Sequence, residues 1–346
     1  MRRQSVALGI VGLVALAGCG KLGPKTIVRD RFSYNAALAE SWKNQLLQNV
    51  VRIRYADMPI YLEVISVVSQ YEIKGKASVR GGILAPVAVS GGYTERPTMS
   101  YAPLKGQKFS RSLMTPLPPR AILHLIEVGW PAEFILDLAV QAVNGIYNRA
   151  GGALVPHPAD PEFTTLLELL ASVQQSGVLV LQVEQHEGKE ELVLMFRKHP
   201  DSKVEAEIAS IMQILRLDPD MRRFRVSAGV CSTESNELKF QTRSILMMMY
   251  ALAMGVEVPS AHSVDTIHDA VPSAGKSAES ISHARIRSGK APPEDPYAAI
   301  QYRGHWFWID NQDVQSKRAF SLIQLLMNLA EGDTVKDAPV LTLPTG

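Results

Sequence analysis

The sequence predicts an α+β fold of mixed helices and mainly antiparallel strand pairs. Apolar residues recur at helical spacing in several long segments, and between those segments stand pairs of β-branched, alternating runs joined by short turns. Strand pairs that alternate with helices favour antiparallel sheets over a doubly wound parallel core. The 346 residues, 46% of them hydrophobic, are enough for one large or two modest domains.

In chain order, 34–55 is a helix. Leu38, Trp42, Leu46, Val50 and Ile53 share its spacing, and Asp57 with Pro59 ends it. The run 59–73 is rich in β-branched and aromatic residues and reads as a strand. Next, the pairs Gly81-Gly82 and Gly91-Gly92 bracket an apolar stretch holding Ile83, Leu84, Val87 and Val89 around Pro86. Glycine pairs permit unusual backbone angles and proline cannot donate to a ladder, so this is a loop or an edge hairpin. It continues, extended, through Tyr101, because residues before proline avoid the helical region. Uncovered, Ile83, Leu84, Val87, Val89 and Tyr101 form the expected docking surface for a protein partner.

Helices follow at 119–128 and 131–147, each opening with proline. The glycine- and proline-rich stretch 150–161 is the expected boundary. After it come a helix at 162–175, a hairpin of 177–185 with 190–199, a helix at 203–215, strands near 224–230 and 237–242, and a methionine-rich helix from Ile245. Residues 259–280 form a Ser/Ala/Pro-rich loop. The chain closes with a hairpin turning at Arg303-Gly304 and a helix whose Phe320, Ile323, Leu326 and Leu329 share a face. Strand alternation puts Ile300, Tyr302, His305, Phe307 and Ile309 on one side of that hairpin and Gln301, Trp306 and Trp308 on the other.

At the start, Arg2 and Arg3 precede the apolar run Val6 to Ala15, too short to span a bilayer, and then Leu16-Ala17-Gly18-Cys19. This resembles a bacterial lipoprotein precursor. The resemblance implies removal of 1–18 as a signal peptide, Leu16, Ala17 and Gly18 as the peptidase motif, and a lipid on Cys19 that anchors a short tether, 19–30, to the membrane. Gly20, where an Asp would retain the protein at the inner membrane, implies the outer membrane and its periplasmic face. The stretches "YNAALAESWKNQLLQNVVRIRYADMPIYLEV" and "YRGHWFWID" are similar to proteobacterial lipoproteins of unknown function, and that similarity implies no site residue. The rest divides into 31–155, 156–258, the loop 259–280, and a C-terminal hairpin, helix and polar tail at 281–346.

Charge narrows the partners. The chain carries 36 basic and 34 acidic residues, and loss of Arg2 and Arg3 with the leader leaves it formally neutral. No basic field argues for nucleic acid. Cys231 has no partner once Cys19 is lipidated and is expected to be a small buried hydrophobe. Gly275-Lys276-Ser277 imitates a phosphate-binding loop, but Ala270 replaces the motif's first glycine, so no nucleotide is expected. Ser273 and Lys276 lack the companion motifs of penicillin-binding enzymes. His262, Asp265, His268 and Asp269 do not have a zinc spacing and read as loop polars, and Met247, Met248, Met249 and Met254 as core. No metal, cofactor or catalytic residue is expected.

The sequence therefore points to a non-enzymatic binding or assembly component of the cell envelope, anchored in the membrane through its N-terminal lipid and paired with an envelope protein. One alternative is an envelope hydrolase acting on peptidoglycan or another glycan, with His305, Trp306 and Trp308 as a sugar platform. The other is a small-molecule carrier with a closed apolar pocket.

Overall fold

Helix α1 (Pro24–Arg54) starts well before the apolar periodicity that predicts it, because Pro24 suits a first helical turn. The computed structural model describes residues 24–78, 88–149, 158–186, 189–265 and 283–331, and places α1 first in an α+β fold with mainly antiparallel sheets. At ~1.5 Å per residue α1 is about 46 Å long. Only its second half is core: Leu46, Leu47, Val50, Val51 and Ile53 are buried, whereas Phe32 and Trp42 are 70% and 48% exposed. The expected tether of 19–30 is thus already helical from Pro24, and Trp42, expected on the packed stripe, is not covered. Among the described residues no helix is long and apolar enough to cross a membrane.

Two long strands follow, β1 (Leu62–Ser78) and β2 (Ala88–Pro103), paired antiparallel from Leu62↔Pro103 to Ser78↔Ala88 in a sheet of their own. We call this pair the arm. Ile65 is the extra residue where the register shifts between Val64 and Ser66. Pro97 is accommodated opposite Ser69 because each strand of a two-stranded ribbon is an edge strand.

A helical turn (Gly106–Phe109) and a π turn (Ser110–Met114) lead into the middle of the chain. Here α2 (Pro119–Glu127), α3 (Ala132–Ala139), β3 (Val140–Val143), β4 (Ile146–Tyr147), α4 (Pro161–Gln175), β5 (Leu179–His186), β6 (Lys189–Phe196), α5 (Ser202–Ile214), β7 (Arg223–Ala228) and β8 (Glu237–Thr242) build a six-stranded sheet. Its order is β4-β3-β8-β7-β6-β5, antiparallel except for β7 beside β8. The helix expected over 131–147 ends at Ala139. The chain then turns at Asn144-Gly145, both at positive φ (45° and 82°), the geometry that matches a two-residue hairpin to the twist of its strands. Since β3 pairs with β8, this sheet takes strands from both sides of 150–161. Helices α2 to α5 lie on one face, and the cavity between the layers, about 30 Å³ and wholly apolar, has room for about one water.

The last part contains α6 (Ile245–Ala253), a 3₁₀ turn (Ser260–Asp265), a three-stranded sheet of order β10-β11-β9 and the closing helix α7 (Val314–Glu331). Its strands are β9 (Arg287–Gly289), β10 (Pro296–Tyr302) and β11 (His305–Asp310). Phe307, Ile309, Phe320, Ile323 and Leu326 are buried; Leu329, expected on the same face, is 52% exposed. Helix α1 is joined here: Lys43 Nζ donates to the Tyr297 carbonyl at 3.1 Å and Asn44 Oδ1 accepts from the Ala299 N–H at 3.1 Å.

Candidate functional site

The root of the arm is held by two side-chain amides one helical turn apart on α1. Asn49 donates to the Ile60 carbonyl and accepts from its N–H, both at 2.8 Å, and Gln45 does the same to Leu62 at 3.0 Å. The segment is thereby treated as a strand along one edge, while the Leu104 N–H donates to the Tyr61 carbonyl along the other. Strand alternation then sorts the side chains. Tyr61 turns inward and donates to Met249 Sδ at 2.8 Å, and burial pushes its phenol well above the ordinary range. Met58, Ile60 and Leu62 turn outward, 69%, 52% and 47% exposed. The register β1–β2 adds Tyr101 (54%) and Met99 (38%) to the face of Leu62. Five large apolar side chains therefore form one exposed face, a grouping that marks interaction surfaces.

A second cluster surrounds the end of α1. The Asp57 N–H bonds to the Arg52 carbonyl and the Ala56 N–H to the Ile53 carbonyl, with Ala56 at φ 58°, which is a Schellman stop built on alanine instead of glycine. It points the buried Tyr55 at His262, whose Nδ1 lies 2.9 Å from the Tyr55 hydroxyl. The rings of His262 and His305 meet edge to face at 4.7 Å, and Tyr55 contacts Tyr302 and Phe307 in the same manner. Arg303 lies over Tyr55 at 5.0 Å and reaches Asp57 at 3.2 Å. Asp57 also accepts from the Tyr302 hydroxyl; that bond, with Arg303, holds its carboxyl below its ordinary value. These contacts fasten the 3₁₀ turn and the β10–β11 turn to α1.

A third cluster is buried at the end of α3. Arg243 donates to the carbonyls of Asp137, Leu138 and Arg149 and to Gln141 Oε1, and burial pulls its guanidinium down to about 10. Arg149 Nη2 lies 2.6 Å from Asp137 Oδ2 and His283 Nε2 lies 2.9 Å from the same oxygen. Burial raises the Asp137 carboxyl, but His283 and Arg149 outweigh it and hold it at about 2. Each nitrogen of the Arg243 fork is used within the protein, so this cluster is a latch between α3, β3, β8 and the chain returning at His283.

Of the residues singled out in the sequence, Leu16, Ala17, Gly18, Cys19, Ile83, Leu84 and Val87 lie outside the described residues, as do His268 and Asp269. Val89 has its backbone in β2, opposite Ala77, with its side chain outside the description. Tyr101 is on the exposed apolar face. His305, Trp306 and Trp308 are all half-buried, but strand register sets His305 beside Tyr302 and the tryptophans on the opposite face, where Gly289 leaves space for Trp308: a Cβ there would lie 3.2 Å from Cη2. They do not form one platform. Cys231 is exposed, a correction to the expected buried hydrophobe, because it sits in the turn between β7 and β8 rather than in the strand. Among the described residues no group of three or more His, Cys, Asp or Glu side chains could hold a metal ion.

The Gln45 and Asn49 clamp and the Tyr55 cluster are the features that sequence reasoning missed. The one available signal was the alternation Met58, Ile60, Leu62 around Pro59 and Tyr61. Compared with protein-family models, curated proteins and solved structures, the chain shows no significant match to any of them.

Proposed function

We propose that this chain is a lipid-anchored protein of the outer membrane, facing the periplasm, that acts by binding another envelope protein. The lipobox-like Leu16-Ala17-Gly18-Cys19 supports the anchor. The binding role is carried by one observation, the exposed apolar face of Met58, Ile60, Leu62, Met99 and Tyr101 at the root of the arm. Apolar side chains held outward by backbone hydrogen bonds on both sides cannot turn in to the core, so a partner is what would remove them from water.

Two measurements test this. Radiolabelled palmitate should enter the wild type and not Cys19→Ala; equal labelling would remove the anchor from the reading. In solubilised envelopes, Leu62→Asp with Tyr101→Asp should lose the co-purifying partner yet keep the wild-type melting temperature, because both side chains already face water. A partner retained by that variant would sink the binding role of this face.

A further inference from the structure

Apart from the arm, the sheet edges of the body are short or covered, with one exception. In the six-stranded sheet β4 ends one side after two residues. In the three-stranded sheet β9 is three residues long, and α1 covers β10, where Lys43 and Asn44 meet the Tyr297 carbonyl and the Ala299 N–H. The exception is β5. It forms the other side of the six-stranded sheet with eight residues, and among the described residues neither a strand nor a side-chain clamp lies along its outer edge. Edge strands are ordinarily blunted by lysine, proline, a bulge or shortness. Leu179–His186 has no lysine and no proline, its register with β6 runs unbroken, and its carboxylate Glu184 is paired with Arg223.

The phase of the hydrogen bonds shows what this edge offers. The Arg197 N–H donates to the Val178 carbonyl at 2.9 Å, so Val178 faces β6. Ladder alternation then turns the backbone groups of Leu179, Leu181 and Val183 to the open side. Their side chains share the face on which the helices lie. They stand opposite Phe196, Leu194 and Leu192 of β6, and Leu179, Leu194 and Phe196 line the apolar cavity on that face. Leu179 and Leu181 are half-buried and Val183 is 46% exposed.

This row is symmetric about Leu181. An antiparallel copy related by a twofold axis normal to the sheet sets Leu181 against Leu181 of the second copy and Leu179 against Val183. Each of these rungs is apolar and exchanges two backbone hydrogen bonds, roughly six in all. Glu184 then faces Val178 of the copy, and no carboxylate opposes another. Centred on Val183 instead, the strand would set Leu181 against Gln185 and Leu179 beyond the end of β5.

We propose that β5 is a self-association edge, at which two copies of this chain pair antiparallel about Leu181 and join their six-stranded sheets into one. The contact is separate from the apolar face at the root of the arm and does not depend on the lipid anchor.

The test uses the full chain with Cys231→Ser, purified in detergent and followed by sedimentation equilibrium at matched detergent density. It should approach twice the protein mass as its concentration rises. Val183→Lys leaves a side chain in water in the single chain but sets an ammonium against Leu179 of the copy. The dissociation constant should rise about tenfold or more, while the dilute protein unfolds at the wild-type midpoint. A single chain at every concentration, or a dimer indifferent to Val183→Lys, overturns the proposal. Leu62→Asp with Tyr101→Asp should leave the dimer intact; its loss in that variant assigns self-association to the arm and also overturns the proposal. Oxidation reads the register. Rungs of this kind hold Cα atoms ~5.5 Å apart, within disulfide range, so Leu181→Cys should cross-link to its copy. Val183 and its copy would stand about 14 Å apart, and Val183→Cys should not cross-link. A folded Leu181→Cys that gives no cross-link, or a Val183→Cys that does, overturns pairing about Leu181.

Discussion

Asp137 and Ala56 show how single residues set the energetics. Removing the Asp137 charge by Asp137→Asn leaves Arg149 and His283 without their carboxylate, and Arg243 without the negative charge near it, in a buried latch. We expect a loss of about 3 kcal/mol or more in denaturant unfolding. The same residue gives a pH dependence with a definite sign. Its folded value of about 2 lies below the ordinary 3.8, so the unfolded chain takes up the proton first. The stabilisation, about 2 kcal/mol, is complete above pH 4 and disappears between about pH 4 and pH 2. The acid limb of Asp137→Asn should be flatter by that amount; parallel acid limbs would show that Asp137 titrates alike in both states. Ala56 works in the other direction. Its left-handed φ of 58° closes α1 at a cost that glycine avoids, so Ala56→Gly should raise the melting midpoint, with a gain of up to about 1 kcal/mol. A fall would mean that the alanine methyl contributes packing that outweighs the strain.

Between elements, the clamp on the arm can be separated from the arm's own pairing. Gln45→Ala and Asn49→Ala each remove two hydrogen bonds to the root of β1, worth about 1–2 kcal/mol apiece, and more for the buried Asn49, which leaves Ile60 unsatisfied. Amide exchange at Ile60 and Leu62 should accelerate while that of β7 and β8 stays slow; unchanged exchange at the root would show that pairing with β2 alone holds it. Elements with a strong local period were readable in advance: α4, α5, α6, the β5–β6 hairpin and the β10–β11 alternation all lie where their patterns put them. The misses have physical causes. From Val140 to Val143 a strand buried on both faces reads like a continuation of the apolar helix before it, and only Asn144-Gly145 signals the turn. Past Ile73, Lys74, Gly75 and Lys76 lack apolar alternation, so the end of β1 follows from its pairing, which one strand's sequence does not encode. The Tyr55 cluster was beyond reach for a similar reason: Tyr55 and His262 are 207 positions apart.

Over the whole molecule, α1 divides into two halves with different tasks. Residues 31–42 are exposed or half-buried, so deletion of 24–41 should leave the melting midpoint of the body within a degree or two, whereas Leu47→Ala, in the buried half, should cost about 2–5 kcal/mol. A large destabilisation by the deletion would mean that the free half is packed in solution. The buried half has a further consequence through its partners, because Lys43 and Asn44 meet Tyr297 and Ala299 some 254 and 255 positions later. During synthesis α1, an early helix, is therefore among the last of the described elements to find its place. Its apolar face of Leu46, Leu47 and Val50 stays incompletely covered until α6 and β10, some 200 to 250 positions later, have followed, and contacts closed over such separations are slow to form. The interval leaves a partly uncovered helix for a holding chaperone to grip, and it makes the final docking of α1 the step at which a truncated or stalled chain would betray itself to a protease.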